Sequence, residues 1–91
     1  MAKNQNKVEP VEEIRIRSIK AAIWRNEGES GPRFNVTLQR LYRTEEGKWQ
    51  STASFGRDDL LVLMKVADAT HTRVMQLLGE NREQRQEQPA A

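Results

Sequence analysis

The alternation of apolar and polar residues over positions 33–43 constrains the fold of this chain more than any other feature. The even positions are mostly apolar and the odd positions mostly polar, with Arg40 and Leu41 as the exceptions. The apolar set is Phe34, Val36, Leu38 and Tyr42, and the polar set is Arg33, Asn35, Thr37, Gln39 and Arg43. A period of two residues predicts a β-strand that packs with one face and exposes the other to water.

A second alternating segment follows at positions 48–55, after a tight turn at 44–47 in which Gly47 is expected to have a positive φ. On apolar character, Trp49, Ala53 and Phe55 are predicted to lie on the packed face. The polar face of this strand would then carry Lys48, Gln50, Thr52 and Ser54.

An extended segment with a change of phase precedes both of these strands, at positions 14–25. Ile14 and Ile16 are in one phase, whereas Ile19, Ala21 and Ile23 are in the other. A slip near Arg17-Ser18 indicates either a β-bulge or a break between two strands. The sequence therefore predicts three long strands, or four if this first segment divides.

A helix is predicted to begin near Asp58, with Asp58 or Asp59 as its N-cap, and to end at Gly79 acting as a C′ glycine. Its apolar stripe contains Leu60, Leu63, Met64, Ala67, His71, Val74 and Leu78. The stripe is broader than contact with one sheet requires. Two explanations stay open, a second packing surface for a partner subunit and a bent sheet that wraps the helix.

The fold class that follows is α+β, an antiparallel meander of three to four strands followed by one C-terminal helix packed on one sheet face. The polar compositions of residues 1–13 and 79–91 predict disordered tails, which leaves 14–78 as a single domain. The chain has 91 residues, no cysteine and one histidine, so neither a disulfide nor a classical zinc site is expected to stabilise so small a core. We therefore expect a homodimer. No signal peptide or membrane span is evident, and a soluble, cytoplasmic protein is predicted.

The polar sheet face is the predicted functional surface because basic, hydrogen-bonding and aromatic groups occur there without an acid. Lys20, Arg33, Arg43 and Lys48 are the candidate phosphate ligands, and Arg15 and Arg17 would extend the basic strip. Trp24 has the parity of this face and is the candidate for base stacking. The simpler interpretations are an ordinary solvated face, or a dimer contact that buries Trp24.

No catalytic site is predicted. The sequence offers no Ser/His/Asp or Cys/His set, no glycine-rich phosphate loop before a helix and no metal-ligand spacing. His71 lies on the apolar helical stripe and is interpreted as a packed or half-buried side chain. No cofactor or small-molecule substrate is expected. The rival to single-stranded nucleic-acid binding is a protein–protein interaction or regulatory module.

Residues 19–75 resemble a family of short bacterial proteins without an assigned role. The shared motifs are Ile23-Trp24-Arg25-Asn26, FNVTLQRLY at 34–42, Gly47-Lys48-Trp49 and SFGRDDLL at 54–61. The architecture alone is similar to the positive-cofactor-four, Whirly and Pur-alpha domains, which bind single-stranded nucleic acid as dimers or paired repeats. No diagnostic motif of those families is matched residue by residue, and fold does not fix function.

Overall fold

The extended half of the chain forms four antiparallel strands in the order β1-β2-β3-β4. The structure is a computed structural model that describes residues 9–87. Its elements are β1 (Glu12–Ile16), β2 (Ile19–Gly28), β3 (Gly31–Arg43), β4 (Trp49–Thr52), a 3₁₀ turn (Arg57–Asp59) and helix α1 (Leu60–Glu87). The predicted α+β meander followed by a C-terminal helix that packs on the sheet is confirmed.

The change of phase near Arg17-Ser18 is a hairpin turn, so the first segment divides into β1 and β2. Ile16 pairs with Ile19 across this two-residue turn, and Arg17 takes the left-handed conformation with φ 56°. Residues directly opposite each other in an antiparallel pair share a face. The turn therefore keeps Ile16 and Ile19 on the same side of the sheet although they are three positions apart in sequence.

The core lies between β2 and α1. Ile19, Ala21 and Val66 are fully buried together. Partly buried side chains surround them, from β1, β3, α1 and the connection that precedes the 3₁₀ turn. Those surrounding residues are Ile16, Leu38, Phe55, Val62 and Leu63. We call the side of the sheet that meets α1 the helix face and the opposite side the open face.

Polar contacts stabilise the helix and its attachment to the sheet. Thr70 is buried, and its hydroxyl donates to the Val66 carbonyl oxygen at 2.7 Å, so its burial leaves no unpaired hydroxyl. Arg73 Nε donates to Glu12 Oε1 at 2.8 Å and so ties α1 to β1. This hydrogen bond, with the nearby carboxylate charge, raises the pKa of Arg73 above its ordinary value.

The helix start differs from the predicted cap at Asp58 or Asp59. Gly56 is the N-cap of the 3₁₀ turn, and its amide donates to Asp59 Oδ2 at 2.8 Å. Arg40 Nε lies 3.5 Å from the same carboxylate oxygen and donates to the Ser54 carbonyl oxygen at 3.0 Å. Asp59 therefore closes the turn from the third position and holds β3 against the helix start.

The start of the first strand and the end of the helix differ from the predicted bounds. β1 begins at Glu12 rather than Ile14, because Glu12 and Glu13 continue the ladder with β2. The helix does not end at Gly79 but continues to Glu87, since the Glu, Arg and Gln residues beyond the glycine are good helix formers. The remainder of the two predicted tails, residues 1–8 and 88–91, lies outside the described residues.

Candidate nucleic-acid interface

The strand register defines which side chains share the open face. Arg15, Lys20 and Gln39 lie side by side across β1, β2 and β3, and Trp24 lies beside Asn35. At the other end of β3, Leu41 pairs with Ser51 and Arg43 with Trp49. The strand residues of the open face are Glu13, Arg15, Lys20, Ala22, Trp24, Asn26, Arg33, Asn35, Thr37, Gln39, Leu41, Arg43, Trp49 and Ser51.

Trp49 lies on the open face, so its predicted place on the packed face is wrong. It pairs with Arg43, and 63% of its surface is exposed. The chain leaves β4 after Thr52, so the parity that links Trp49 to Phe55 in sequence does not hold in space. Phe55 still packs against the core, from the connection that leads into the helix.

The same register moves the alternate residues of β4 away from the open face. Gln50 pairs with Tyr42 and Thr52 with Arg40, both on the helix face. Tyr42 Oη donates to Gln50 Oε1 at 2.9 Å. The alternation of side chains along the chain puts Lys48 on the same side as Gln50, where the turn acids Glu45 and Glu46 also lie. The predicted placement of Lys48, Gln50 and Thr52 on the open face was wrong because a turn resets the phase that hydrophobicity alone suggested.

Trp24 lies on the open face as its parity predicted. Its indole Nε1 donates to the Thr37 hydroxyl at 3.0 Å, which holds the half-buried ring against the neighbouring strand. The indole therefore has its single donor satisfied while part of the ring surface stays accessible. A tryptophan held in this way has little side-chain entropy left to lose when a flat ligand stacks on it.

Basic residues on the two faces differ in how they are paired. On the helix side, Arg25, Arg40 and Arg73 each lie within 4 Å of a carboxylate, at 3.0, 3.5 and 2.8 Å. On the open face, Arg33 and Arg43 are exposed and form no ion pair within the described part of the chain. Their charges are therefore available to a ligand from outside the protein.

One acid interrupts the face that the sequence predicted to be free of acids. Glu13 belongs to β1 rather than to a disordered tail, and its Oε2 lies 3.9 Å from Lys20 Nζ. The strand residues of the open face thus carry four basic groups and one acid. These are Arg15, Lys20, Arg33 and Arg43 against Glu13, a formal sum of +3.

Arg43 and Trp49 form a pair at one end of the open face. The Arg43 guanidinium carbon lies 5.8 Å from the Trp49 ring centroid, and Arg43 Nε donates to the Gly47 carbonyl oxygen at 3.2 Å. Gly47 has φ 86°, as predicted for the turn. The guanidinium contributes one donor to this turn and keeps its terminal nitrogens for other acceptors.

Arg15 and Arg17 lie at the β1–β2 end of the open face. Arg15 points from β1 beside Lys20, and its Nε donates to the Arg17 carbonyl oxygen at 2.7 Å. Arg17 is in the turn itself, in a left-handed conformation that suits glycine or asparagine better than arginine. Of the predicted phosphate ligands, the structure thus gathers Arg15, Lys20, Arg33 and Arg43 on one face, puts Arg17 at its border and removes Lys48.

A second exposed surface lies on α1, away from the sheet, where Leu60, Leu61, Met64 and Met75 are exposed. We call these four residues the outer helix surface. Lys65 and Asp68 border Leu61 and Met64. His71 is exposed on the same helix, beside Val36 and Leu38 of β3, so the packed or half-buried side chain predicted for it is not found. The apolar arc of the helix is therefore wider than the part that packs on the sheet, where Val66 is fully buried.

Comparisons with known proteins add no assignment to this geometry. No family model matches the chain, and neither the curated proteins nor the solved structures gave a significant match. Within residues 9–87, no helix is long and apolar enough to cross a membrane, and among the side chains of residues 9–80 no three metal-ligating groups come together.

Proposed function

We propose that this chain is a non-catalytic domain that binds single-stranded DNA or RNA on its open face, with little sequence preference, as a cytoplasmic homodimer. The observation that carries the proposal is the grouping of Arg33, Arg43, Trp24 and Trp49 on one sheet face. The arginines of the helix side, Arg25, Arg40 and Arg73, by contrast each lie within 4 Å of a carboxylate of the chain itself.

The chemistry of the open face matches what a single strand offers. Phosphates are bound by arginine and lysine, and each neutralised phosphate releases counterions, which makes the affinity depend on salt. Exposed indoles stack on bases without selecting among them, because every base has a π-face. Thr37 and Gln39 lie between the two tryptophans along β3, and Asn35 lies beside Trp24. All three supply donors and acceptors for bases or sugars.

A fluorescence titration with oligo-dT at low and at moderate salt tests the proposal. We expect the logarithm of the association constant to fall linearly with the logarithm of the salt concentration. The slope should be about −0.7 for each phosphate contacted. The double variant Arg33→Gln/Arg43→Gln should reduce the magnitude of that slope by about 1.4. The matched control Arg57→Gln/Lys65→Gln removes the same charge from exposed positions on the helical half and should leave the slope unchanged.

Two results of the titration would contradict the proposal. The first is no binding at micromolar protein, and the second is binding that salt does not affect. If the control variant lowers the salt dependence as much as the open-face variant does, the open face is not the binding surface, because net charge alone then explains the affinity.

The rival function, a protein-interaction module, is favoured by the outer helix surface. Leu61 is 73% exposed and Met64 is 64% exposed, and adjacent apolar side chains of this size mark interaction surfaces. The rival predicts co-purification with a protein and no salt-sensitive nucleic-acid binding. Trp24→Ala and Leu61→Glu/Met64→Glu separate the two functions, because they change two different surfaces. Loss of oligonucleotide binding in the Trp24 variant supports the first function, whereas loss of the co-purifying protein in the Leu61/Met64 variant supports the second.

A further inference from the structure

We infer that the bound strand runs lengthwise along β3, with one base stacked on Trp24 and another, several nucleotides away, on Trp49. This inference rests on the proposed function and adds to it a path and a minimum ligand length. It depends on the register of the sheet, which gives each tryptophan a known position beside β3.

The two indoles lie near opposite ends of the open face. Trp24 of β2 is opposite Asn35, and Trp49 of β4 is opposite Arg43. Eight residues of β3 separate those two partners (43 minus 35), which corresponds to roughly 27 Å at about 3.4 Å per residue. No single base can contact both rings.

Basic groups lie at intervals along the same line. Arg33 lies beyond Trp24 toward the β2–β3 turn, since it pairs with Asn26. Lys20 lies between the two tryptophans, opposite Gln39, and Arg43 lies beside Trp49. Cations and indoles therefore alternate along β3, as the phosphates and bases of a bound single strand do.

A path across the strands does not fit these positions. Adjacent strands are about 4.8 Å apart, so the four strands span only roughly 14 Å between the outer backbones. A ligand lying across them at Asn35 would contact Trp24 alone, and one lying across at Arg43 would contact Trp49 alone. The lengthwise path engages both rings and all three cations.

The separation of the two indoles sets the length of strand required. A stacked strand advances about 3.4 Å per nucleotide, so roughly eight nucleotides span the distance, and fewer suffice if the backbone is stretched. Small β domains that bind single strands commonly cover about 4–16 nucleotides. We therefore expect affinity to rise with length up to about eight nucleotides and to rise little beyond that.

Titrations of the full chain with oligo-dT of about three and about ten nucleotides test the path. The variants are Trp24→Ala and Trp49→Ala, with Trp24→Phe and Trp49→Phe retaining an aromatic ring. With the long oligomer, either alanine variant should weaken binding about fivefold to a hundredfold, and either phenylalanine variant should restore most of it. With the short oligomer, either alanine variant should weaken binding about twofold at most, because one remaining ring is enough.

Tyr42→Ala is the matched control, since Tyr42 is an aromatic residue of β3 on the helix face. It should change binding of neither oligomer. Circular dichroism of each variant establishes that the fold is retained, and the phenylalanine variants keep the test informative if an alanine variant fails to fold.

The outcomes separate the path from the proposed function. If the long oligomer binds no tighter than the short one, or if one tryptophan carries all the binding at both lengths, the lengthwise path is overturned while nucleic-acid binding stands. If no oligomer binds at low salt, the proposed function fails and the path with it.

Discussion

The Ile23 side chain is fully buried on the helix face of β2, between Glu12 on one neighbouring strand and Val36 on the other. Val36 has the same parity but is 38% exposed, because α1 lies over β1 and β2 more than over β3. Single residues of one face therefore differ in what they contribute to stability, and burial rather than residue type decides the difference.

We expect Ile23→Ala to lower the free energy of unfolding by about 2–5 kcal/mol, because it removes fully buried carbon atoms and leaves a cavity. Val36→Ala, at a partly exposed position, should cost less than about 1 kcal/mol. Urea denaturation of the two variants at the same protein concentration measures both values. Equal losses would show that α1 does not cover β2 preferentially.

Arg17 combines an unfavourable backbone conformation with a useful charge. We expect Arg17→Gly to raise the free energy of unfolding by up to about 1 kcal/mol, because glycine adopts a positive φ without steric cost. The same change should weaken oligo-dT binding slightly through the lost cation. Arg17→Lys, which keeps the charge and the strain, should alter neither property. A stability loss in the glycine variant would argue against the left-handed turn.

At the scale of secondary-structure elements, the β3–β4 turn and the helix each contain a glycine, with opposite consequences for stability. Gly47 has φ 86° and closes the β3–β4 turn, where its amide donates to the Thr44 carbonyl oxygen at 2.9 Å. Gly79 lies within α1, and a methyl group added there would meet no atom within 4 Å. One glycine is required by the backbone and the other weakens a helix.

We predict opposite effects of alanine at these two positions. Gly79→Ala should stabilise the protein by about 0.5–1 kcal/mol, because alanine restricts the unfolded chain and favours the helix. Gly47→Ala should destabilise it by more than about 1 kcal/mol, because the native φ is strained for any L side chain. Thermal unfolding measures both changes. A destabilising Gly79→Ala would mean that the helix ends there, as the sequence alone suggested.

How far the sequence predicts each element depends on whether the signal is local. The alternation at 33–43 predicted β3 and its faces correctly, because one long strand carries its own phase. It failed for β4, a strand of four residues after a turn, where the apolar character of Trp49 suggested the wrong face. The same holds for the candidate site. Local parity is enough to place Arg33, Arg43 and Trp24 on the open face. The positions of Trp49, Lys48 and Glu13 follow only from the pairing register of the strands.

At the scale of the whole molecule, the core is small and the exposed apolar area is large. Among the described residues, five apolar side chains are buried, namely Ile19, Ala21, Ala22, Ile23 and Val66. A domain of this size buries only about 60% of its unfolded surface and has little stability to spare. The outer helix surface offers further burial if two chains associate through it.

We therefore expect a dimer by size-exclusion chromatography with light scattering, and a monomer for Leu61→Glu/Met64→Glu, which puts charge on the outer helix surface. The control Asp68→Glu/Thr72→Ser keeps the polar character of the same helix and should remain dimeric. Monomeric wild-type protein at tens of micromolar, on the order of usual working concentrations, would contradict the expected self-association.

The two tryptophans report directly on whether the open face receives the single strand. The chain contains only Trp24 and Trp49, so a ¹⁵N spectrum shows two indole N–H resonances. On addition of oligo-dT of about ten nucleotides at low salt, we predict that both indole resonances shift, together with the amides of Asn35, Gln39 and Arg43. Indole resonances that stay in place, with shifts confined to α1, would contradict the account.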